Sequence, residues 1–147
     1  PDAKGAFLNL TSYHDRNHIL QAVYEGVVFS TMFHVKSLQR PVSDYRVARL
    51  SGGVAKSRVW AQMMADVLQM PVETLKSSQL SAQGAAMGAG VACGVFGSLE
   101  DAVEHMVQVG ELFCPRPEYS RHYAKKFAMF ERALMALDLF HTPKKEE

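Results

Sequence analysis

The stretch from Arg46 to Leu68, RVARLSGGVAKSRVWAQMMADVL, most constrains what this chain can fold into. Val47, Ala48 and Leu50 read as a short buried strand, Ser51-Gly52-Gly53 as a turn, and the remainder as an amphipathic helix. Trp60, Met63, Met64, Val67 and Leu68 fall at i, i+3, i+4, i+7 and i+8, one face of a helix. A strand that enters a helix through paired glycines lets backbone N–H groups approach a ligand without Cβ obstruction, near the positive helix end. A nucleotide phosphate or ribose suits such a platform. The turn has neither Walker spacing nor the three-glycine dinucleotide pattern, and a tight strand-to-helix connection is the commoner meaning of such glycines.

At 147 residues the chain is expected to form one compact domain with a real core. Charge is balanced, 16 Lys+Arg against 15 Asp+Glu, and no basic stripe interleaves with aromatics, which argues against a nucleic-acid binder. Cys93 and Cys114 lie too far apart for a zinc knuckle or a redox pair, so both are expected reduced in a cytoplasmic protein. Pro1-Asp2-Ala3-Lys4-Gly5 reads as mid-protein sequence, and a fragment of something longer is expected.

Around the central stretch the pattern is mostly helical. Residues 5–10 (GAFLNL) form an apolar strand or loop, followed by a helix over about 15–38, capped by Ser12 or Asp15. Ile19, Val23, Gly26, Val27, Ser30 and Phe33 make its expected inner stripe. Pro41 and Asp44 mark the turn before the central strand. Pro71 opens a second short strand with Val72 and Leu75 as core positions, and residues 77–81 form a polar loop. A small-residue helix follows over about 82–96. Its Gly84, Gly88, Gly90 and Gly94 each cost about 1 kcal/mol against alanine, so close backbone packing or a ligand on the helix is expected to offset them. Its GxxxG spacing resembles a membrane dimer motif, but the apolar run is too short to span a bilayer. Ser98 to Asp101 has capping-box character and starts a helix with Ala102, Val103, Met106 and Val107 inward. After the proline-locked Cys114-Pro115-Arg116-Pro117, a helix over about 118–140 carries the stripe Tyr119, Tyr123, Phe127, Phe130, Leu134 and Leu137, which reads as core. A charged tail closes the chain.

Other constellations have plainer readings. His14 and His18 share the i, i+4 spacing of zinc-protease helices, but Asp15 stands where glutamate is needed and no third ligand follows, so a polar helix start is expected. No GxSxG occurs and neither cysteine has a histidine beside it in sequence, which leaves a hydrolase unsupported. Asp66 suits a local helix hydrogen bond better than magnesium. Lys56 and Arg58 follow the glycines closely enough to meet phosphate, although solvated helix-start cations explain them at least as well.

Gly5-Ala6-Phe7, His18-Ile19, Ala22-Val23-Tyr24-Glu25-Gly26-Val27 and Leu50-Ser51-Gly52-Gly53-Val54-Ala55-Lys56-Ser57 together resemble the FGGY carbohydrate kinases. These are sugar and polyol kinases of the actin/hexokinase (ribonuclease H-like) ATPase superfamily. Trp60, Gln62, Ala65-Asp66-Val67, Pro71-Val72 and Gly84-Ala85-Ala86 continue the family's order, so the resemblance covers about residues 5–97, with a weaker echo in the closing helix. Within the family the YEGVVFS run looks most like the pentulose kinases. Two positions depart from the pattern. Asn9 stands where the family signature has glycine, and asparagine tolerates unusual backbone angles. Ser57 stands where the glycerol kinase branch has an adenine-contacting asparagine.

The resemblance implies a helix-rich α/β fold with few strands, and a chain (1–147) that is the C-terminal portion of the kinase's second domain, without the N-terminal domain. That absent domain would carry the phosphate hairpin, most of the sugar site and the catalytic aspartate. The implied cofactors are ATP and Mg. Gly52 and Gly53 would lie against the ribose and α-phosphate, Ser57 near the base, and residues 84–86 would let their helix pack closely behind the turn. The implied partners are ATP and a sugar, with no nucleic acid, no membrane and a possible homodimer through a truncated sheet edge. A non-catalytic helical association module is the alternative.

Overall fold

The computed structural model describes residues 5–38, 45–77 and 79–141, without the side chains of 138–141. The expected turn at Pro41 and Asp44, Ser78 of the polar loop and the tail from 142 lie outside the described residues. Eight regular elements follow in order: α1 (Arg16–Leu38), β1 (Ala48–Leu50), α2 (Arg58–Leu68), β2 (Val72–Leu75), α3 (Leu80–Ala92), α4 (Leu99–Met106), β3 (Val109–Phe113) and α5 (Pro117–His141). A 3-10 turn, Val54–Lys56, precedes α2. This is the helix-rich α/β pattern expected from the sequence. The single compact domain expected from length gives way to two compact units, Tyr45–Pro115 and a second made of Pro1–Asp44 with Arg116–Glu147.

In the unit Tyr45–Pro115, β2 is central. It pairs parallel with β1 (Ala48 opposite Val72, Leu50 opposite Thr74) and antiparallel with β3 (Val72 opposite Phe113). Two parallel neighbours cannot be joined by a tight hairpin, and α2 is the crossover. Its buried residues are Ala61, Met64, Ala65, Asp66, Val67 and Leu68, while Trp60 and Met63 are only half-buried, so the inner face turns away from the expected stripe toward Ala61 and Ala65. Ser57 caps its start, accepting from the Trp60 N–H (3.3 Å), and Gln69 ends it in the left-handed region (φ 54°).

Three expectations fail here for identifiable reasons. β1 is half-buried rather than buried, because it is the sheet's edge, and Val47 is exposed outside it. In β2 the buried pair is Val72 and Thr74, not Val72 and Leu75, since alternate residues share a strand face. β3 was not expected at all: the alternation of Val107, Gln108 and Val109 breaks at Gly110, where the register shifts. A Cβ on Gly110 would stand 2.9 Å from Thr74 Oγ1, the atom that accepts from the Glu111 N–H (3.0 Å).

The small-residue helix also differs. α3 ends at Ala92, short of the expected 96, in a Schellman motif: Val95 N–H donates to Gly90 O (2.8 Å), Gly94 N–H to Val91 O (3.0 Å), and Gly94 takes φ 73°. Of its glycines only Gly90 has a close neighbour, the Phe96 ring, 2.6 Å from where a Cβ would sit. A Cβ at Gly84 or Gly88 meets nothing within 4 Å, so the tight approach expected there does not occur. α3 instead rests on α4, to which it is tied by a bond from the Gln83 side-chain amide to Met106 O, and Met87 is its one buried residue. α4 starts as expected, with Ser98 Oγ accepting from Asp101 N–H (3.2 Å) and Asp101 Oδ2 from Gly97 N–H (2.8 Å). Ala102 is fully buried, but Val103 is exposed.

The other unit is built on α1 and α5. Phe29 is its centre, with ring centroids of Tyr123, Phe127 and Phe130 at 6.3, 6.0 and 5.6 Å. Tyr123 and Phe127 are buried, as the aromatic stripe predicts, whereas Tyr119 and Leu134 are exposed. On α1 the buried residues are Glu25, Val28 and Phe29 rather than the expected stripe. The reason is Lys126, whose Nζ donates to both Glu25 oxygens at 2.8 Å, with Gln21 Nε2 donating to Oε1 at 2.8 Å. A carboxylate so paired can be buried, and this turns α1 toward α5 by its Glu25 side. The displaced stripe, Ile19, Val23, Gly26, Val27 and Ser30, instead lines a groove of about 1010 Å³. Residues 5–15 form no regular structure, and Asn9 adopts φ 60°, the backbone angle expected of it in place of glycine.

Two predictions test these assignments. Lys126→Met leaves the Glu25 carboxylate buried without its cation and should lower unfolding free energy by up to about 3 kcal/mol in a urea titration, discounted for Lys126's partial exposure. Gly88→Ala should raise stability by up to about 1 kcal/mol, whereas Gly90→Ala should give less or reverse the sign, because the Phe96 ring must move.

Candidate functional site

Gly52, Gly53 and Ser57 lie together on the connection between β1 and α2. The chain leaves the sheet edge at Leu50, reverses at Gly52 in the left-handed region (φ 78°), and enters the 3-10 turn through Gly53 in helical geometry (φ −62°, ψ −37°). Lys56 N–H closes that turn on Gly53 O (3.2 Å) and Ser57 N–H on Val54 O (3.1 Å). Only Gly52 needs glycine's backbone freedom. Gly53 does not, yet a Cβ on either glycine points into open space, and Ser51, Gly52 and Gly53 are all exposed. The peptide surface here is therefore open to a ligand. Ser57 Oγ accepts from the Trp60 N–H as the helix cap, which leaves its hydroxyl hydrogen to donate.

Both cations near the turn are exposed. Arg58 Nε pairs with Glu111 Oε2 (3.2 Å), so the solvated-cation reading suits it. Asp66 is fully buried and accepts from Gln62 Nε2 (3.0 Å), the local helix bond expected of it. The same Gln62 nitrogen donates to Cys114 O (2.8 Å), tying α2 to the end of β3. Sequence reasoning singled out Gln62 only through the family pattern, and no local signal points to a partner so far along the chain. Cys93 and Cys114 are exposed free thiols.

The histidine pair is a helix start. Asp15, not Ser12, caps α1: its Oδ1 accepts from Asn17 N–H (2.9 Å) and His18 N–H (3.1 Å). The His18 backbone bond, with the His18 ring beside it, holds the Asp15 carboxyl below the usual carboxylate range. His18 Nδ1 is 2.7 Å from Asp15 Oδ1, and His14 Nδ1 accepts from Thr11 N–H (3.0 Å), so one nitrogen of each ring is committed locally. Among the described residues no three His, Cys, Asp or Glu side chains cluster to hold a metal. Nor is any described helix long and apolar enough to cross a membrane.

Comparison with known proteins agrees with this architecture. Residues 1–93 match the FGGY family of carbohydrate kinases, C-terminal domain. The L-xylulose/3-keto-L-gulonate kinase of Escherichia coli is 34% identical over 140 residues, covering 95% of this chain and 28% of that kinase. A probable L-xylulose kinase of Haemophilus influenzae is 35% identical over 141 residues, 92% of this chain and 28% of that protein. Among solved structures, ligand-bound xylulose kinase from Lactobacillus acidophilus superposes with a TM-score of 0.84 at 26% identity, over 93% of this chain and 28% of that one. Gluconate kinase from the same organism gives 0.82 at 26% identity, over 92% and 27%. The chain thus spans little more than a quarter of the length of these relatives. The small parallel-antiparallel sheet, its glycine-entered crossover and its helices have the actin/hexokinase-like fold of these sugar kinases. The chain belongs to the FGGY family of carbohydrate kinases, its residues 1–93 matching their C-terminal domain.

Proposed function

We propose that this chain is the nucleotide-side portion of an ATP-dependent carbohydrate kinase, most similar to the pentulose kinases, and that alone it does not transfer phosphate. The observation that carries this reading is the turn at Gly52 and Gly53, where exposed backbone at a strand-to-helix junction faces space that a Cβ would fill. That junction suits the ribose and α-phosphate of ATP, because there backbone N–H groups at a strand-to-helix turn can meet a ligand without side chains between. Ser57, at the start of α2, retains a hydroxyl hydrogen to offer to the base. ATP, when bound, supplies the γ-phosphoryl group that a sugar hydroxyl accepts. Mg²⁺ would be held mainly by the phosphates of the nucleotide, with waters and one or two carboxylates completing its shell.

What this chain contributes is a surface. The buried Ala61–Leu68 face of α2 and the Gln62 bridge to Cys114 hold the turn's far side rigid, so binding orders little backbone. Phosphoryl transfer needs a positioned nucleophile and metal-held phosphates together, and a base for the sugar hydroxyl would come from the part of the kinase this chain does not span. Closure of two domains about the nucleotide would then exclude water.

Calorimetric titration with Mg·ATP tests the reading. Weak but saturable binding is expected, at least tenfold weaker in Gly53→Val. Gly53 has ordinary helical angles, so valine there keeps the fold and only fills the open space. A wild-type chain that takes up no nucleotide, even when the rest of a kinase is supplied, overturns the proposal.

A further inference from the structure

The open turn at Gly52 and Gly53 meets a nucleotide through its backbone, so any choice between bases falls to the few side chains beside it. Adenine and guanine share the ring acceptors N3 and N7. They differ chiefly in the exocyclic group on carbon six, an amino donor in adenine and a carbonyl acceptor in guanine. Only a group of fixed hydrogen-bonding sense separates them. A side-chain amide reads adenine and a cation reads guanine, whereas a hydroxyl rotates to suit either.

From Ser51 to Trp60 the chain offers no side-chain amide and no carboxylate. Gln62, the next amide along α2, is turned elsewhere: its Nε2 donates to Asp66 Oδ1 (3.0 Å) and to Cys114 O (2.8 Å). Asp66 itself is fully buried. The carboxylate that the fold brings to the start of α2 is Glu111, and its Oε2 faces Arg58 Nε (3.2 Å), so each of these two charges is committed to the other. The side chains left to meet a base are Ser57, exposed Lys56 before it and Val59, 76% exposed, after it. Ser57 Oγ accepts from the Trp60 N–H and keeps a hydrogen that can turn. A lysine donates to N7 of either purine or to O6 of guanine, and an apolar side chain packs against either ring system. Exchanging one purine for the other leaves none of these groups unpaired, and a group left unpaired is what makes a site reject a ligand.

We propose that the Gly52–Ser57 turn takes purine nucleoside triphosphates without separating adenine from guanine, so that GTP binds this chain as well as ATP does, with the Ser57 hydroxyl as the contact to the base. This rests on the kinase reading above and specifies the nucleotide class of its site.

Competition calorimetry on the full chain, Mg·GTP against Mg·ATP, tests it. Kd values within about threefold of each other are expected, against the roughly five- to hundredfold that a single bidentate base contact gives. Ser57→Gly removes the hydroxyl at little cost to the helix cap. It should weaken both nucleotides by the same factor, about two- to tenfold, and leave their ratio unchanged. A wild-type preference for ATP above about tenfold overturns the proposal and leaves the reading of the turn intact. Loss of ATP affinity alone in Ser57→Gly also overturns it, because the hydroxyl would then be reading adenine. So does unchanged affinity for both nucleotides, which removes Ser57 from the base. A chain that takes up neither nucleotide, even when the rest of a kinase is supplied, removes the reading of the turn and this inference with it.

Discussion

Parallel pairing of β1 with β2 is the constraint on which the candidate site depends. Parallel neighbours need a crossover, and the crossover must leave the first strand, reverse and return over the sheet. Here it does so in a short path: Gly52 supplies the left-handed residue, the 3-10 turn absorbs the change of direction, and Ser57 caps α2. The open peptide surface at Gly52 and Gly53 is thus a consequence of topology before it is a site. Chemistry is added by what surrounds it. Asp66 is buried among Ala65, Val67 and Leu68, and the carboxylate is tolerated because Gln62 donates to it. Gln62 also reaches the carbonyl of Cys114, so the helix behind the turn is tied to the third strand as well as to the second.

The α1–α5 unit depends on a different interaction, the pairing of Glu25 with Lys126. α1 is apolar on more than one face, and hydrophobic spacing alone favours the stripe through Val23 and Val27. Phe29 with three aromatic rings of α5 defines the real core, and the buried ion pair beside it sets the rotation. A buried pair of this kind adds little net stability but makes alternative rotations costly, because each would leave a charge unpaired in an apolar setting. The small residues of α3 answer only in part to the close packing expected of them. Glycines in a helix signal close approach, yet in the described structure the approach occurs only at Gly90, beneath Phe96. Gly84 and Gly88 face open space, as does Gly26 on α1.

Much of the architecture was legible from local patterns. The cap at Ser98, a cap for α1 at Ser12 or Asp15, the turn at Ser51-Gly52-Gly53, the unusual backbone angle at Asn9 and the limits of α1 and α5 follow from forces acting over a few residues. β3 was not legible, because an exposed edge strand interrupted by Gly110 carries neither a hydrophobic alternation nor a long apolar run. The end of α3 was placed too late because Gly94 reads equally as a helical small residue and as a left-handed stop. Only the Phe96 ring folding back over Gly90 decides between them.

The sequence by itself determined the family, the strand–turn–helix junction and the residues Gly52, Gly53 and Ser57 that mark it, since these rest on short-range order and on motifs read along the chain. Tertiary structure decided which faces are inside. Glu25 and Lys126 lie far apart in sequence, as do Thr74 and Glu111, and Gln62 and Cys114. Whether a polar side chain is buried depends on a partner that periodicity cannot supply, so the orientation of α1, the seat of β3 and the groove beside Gly26 became visible only once those partners were in place.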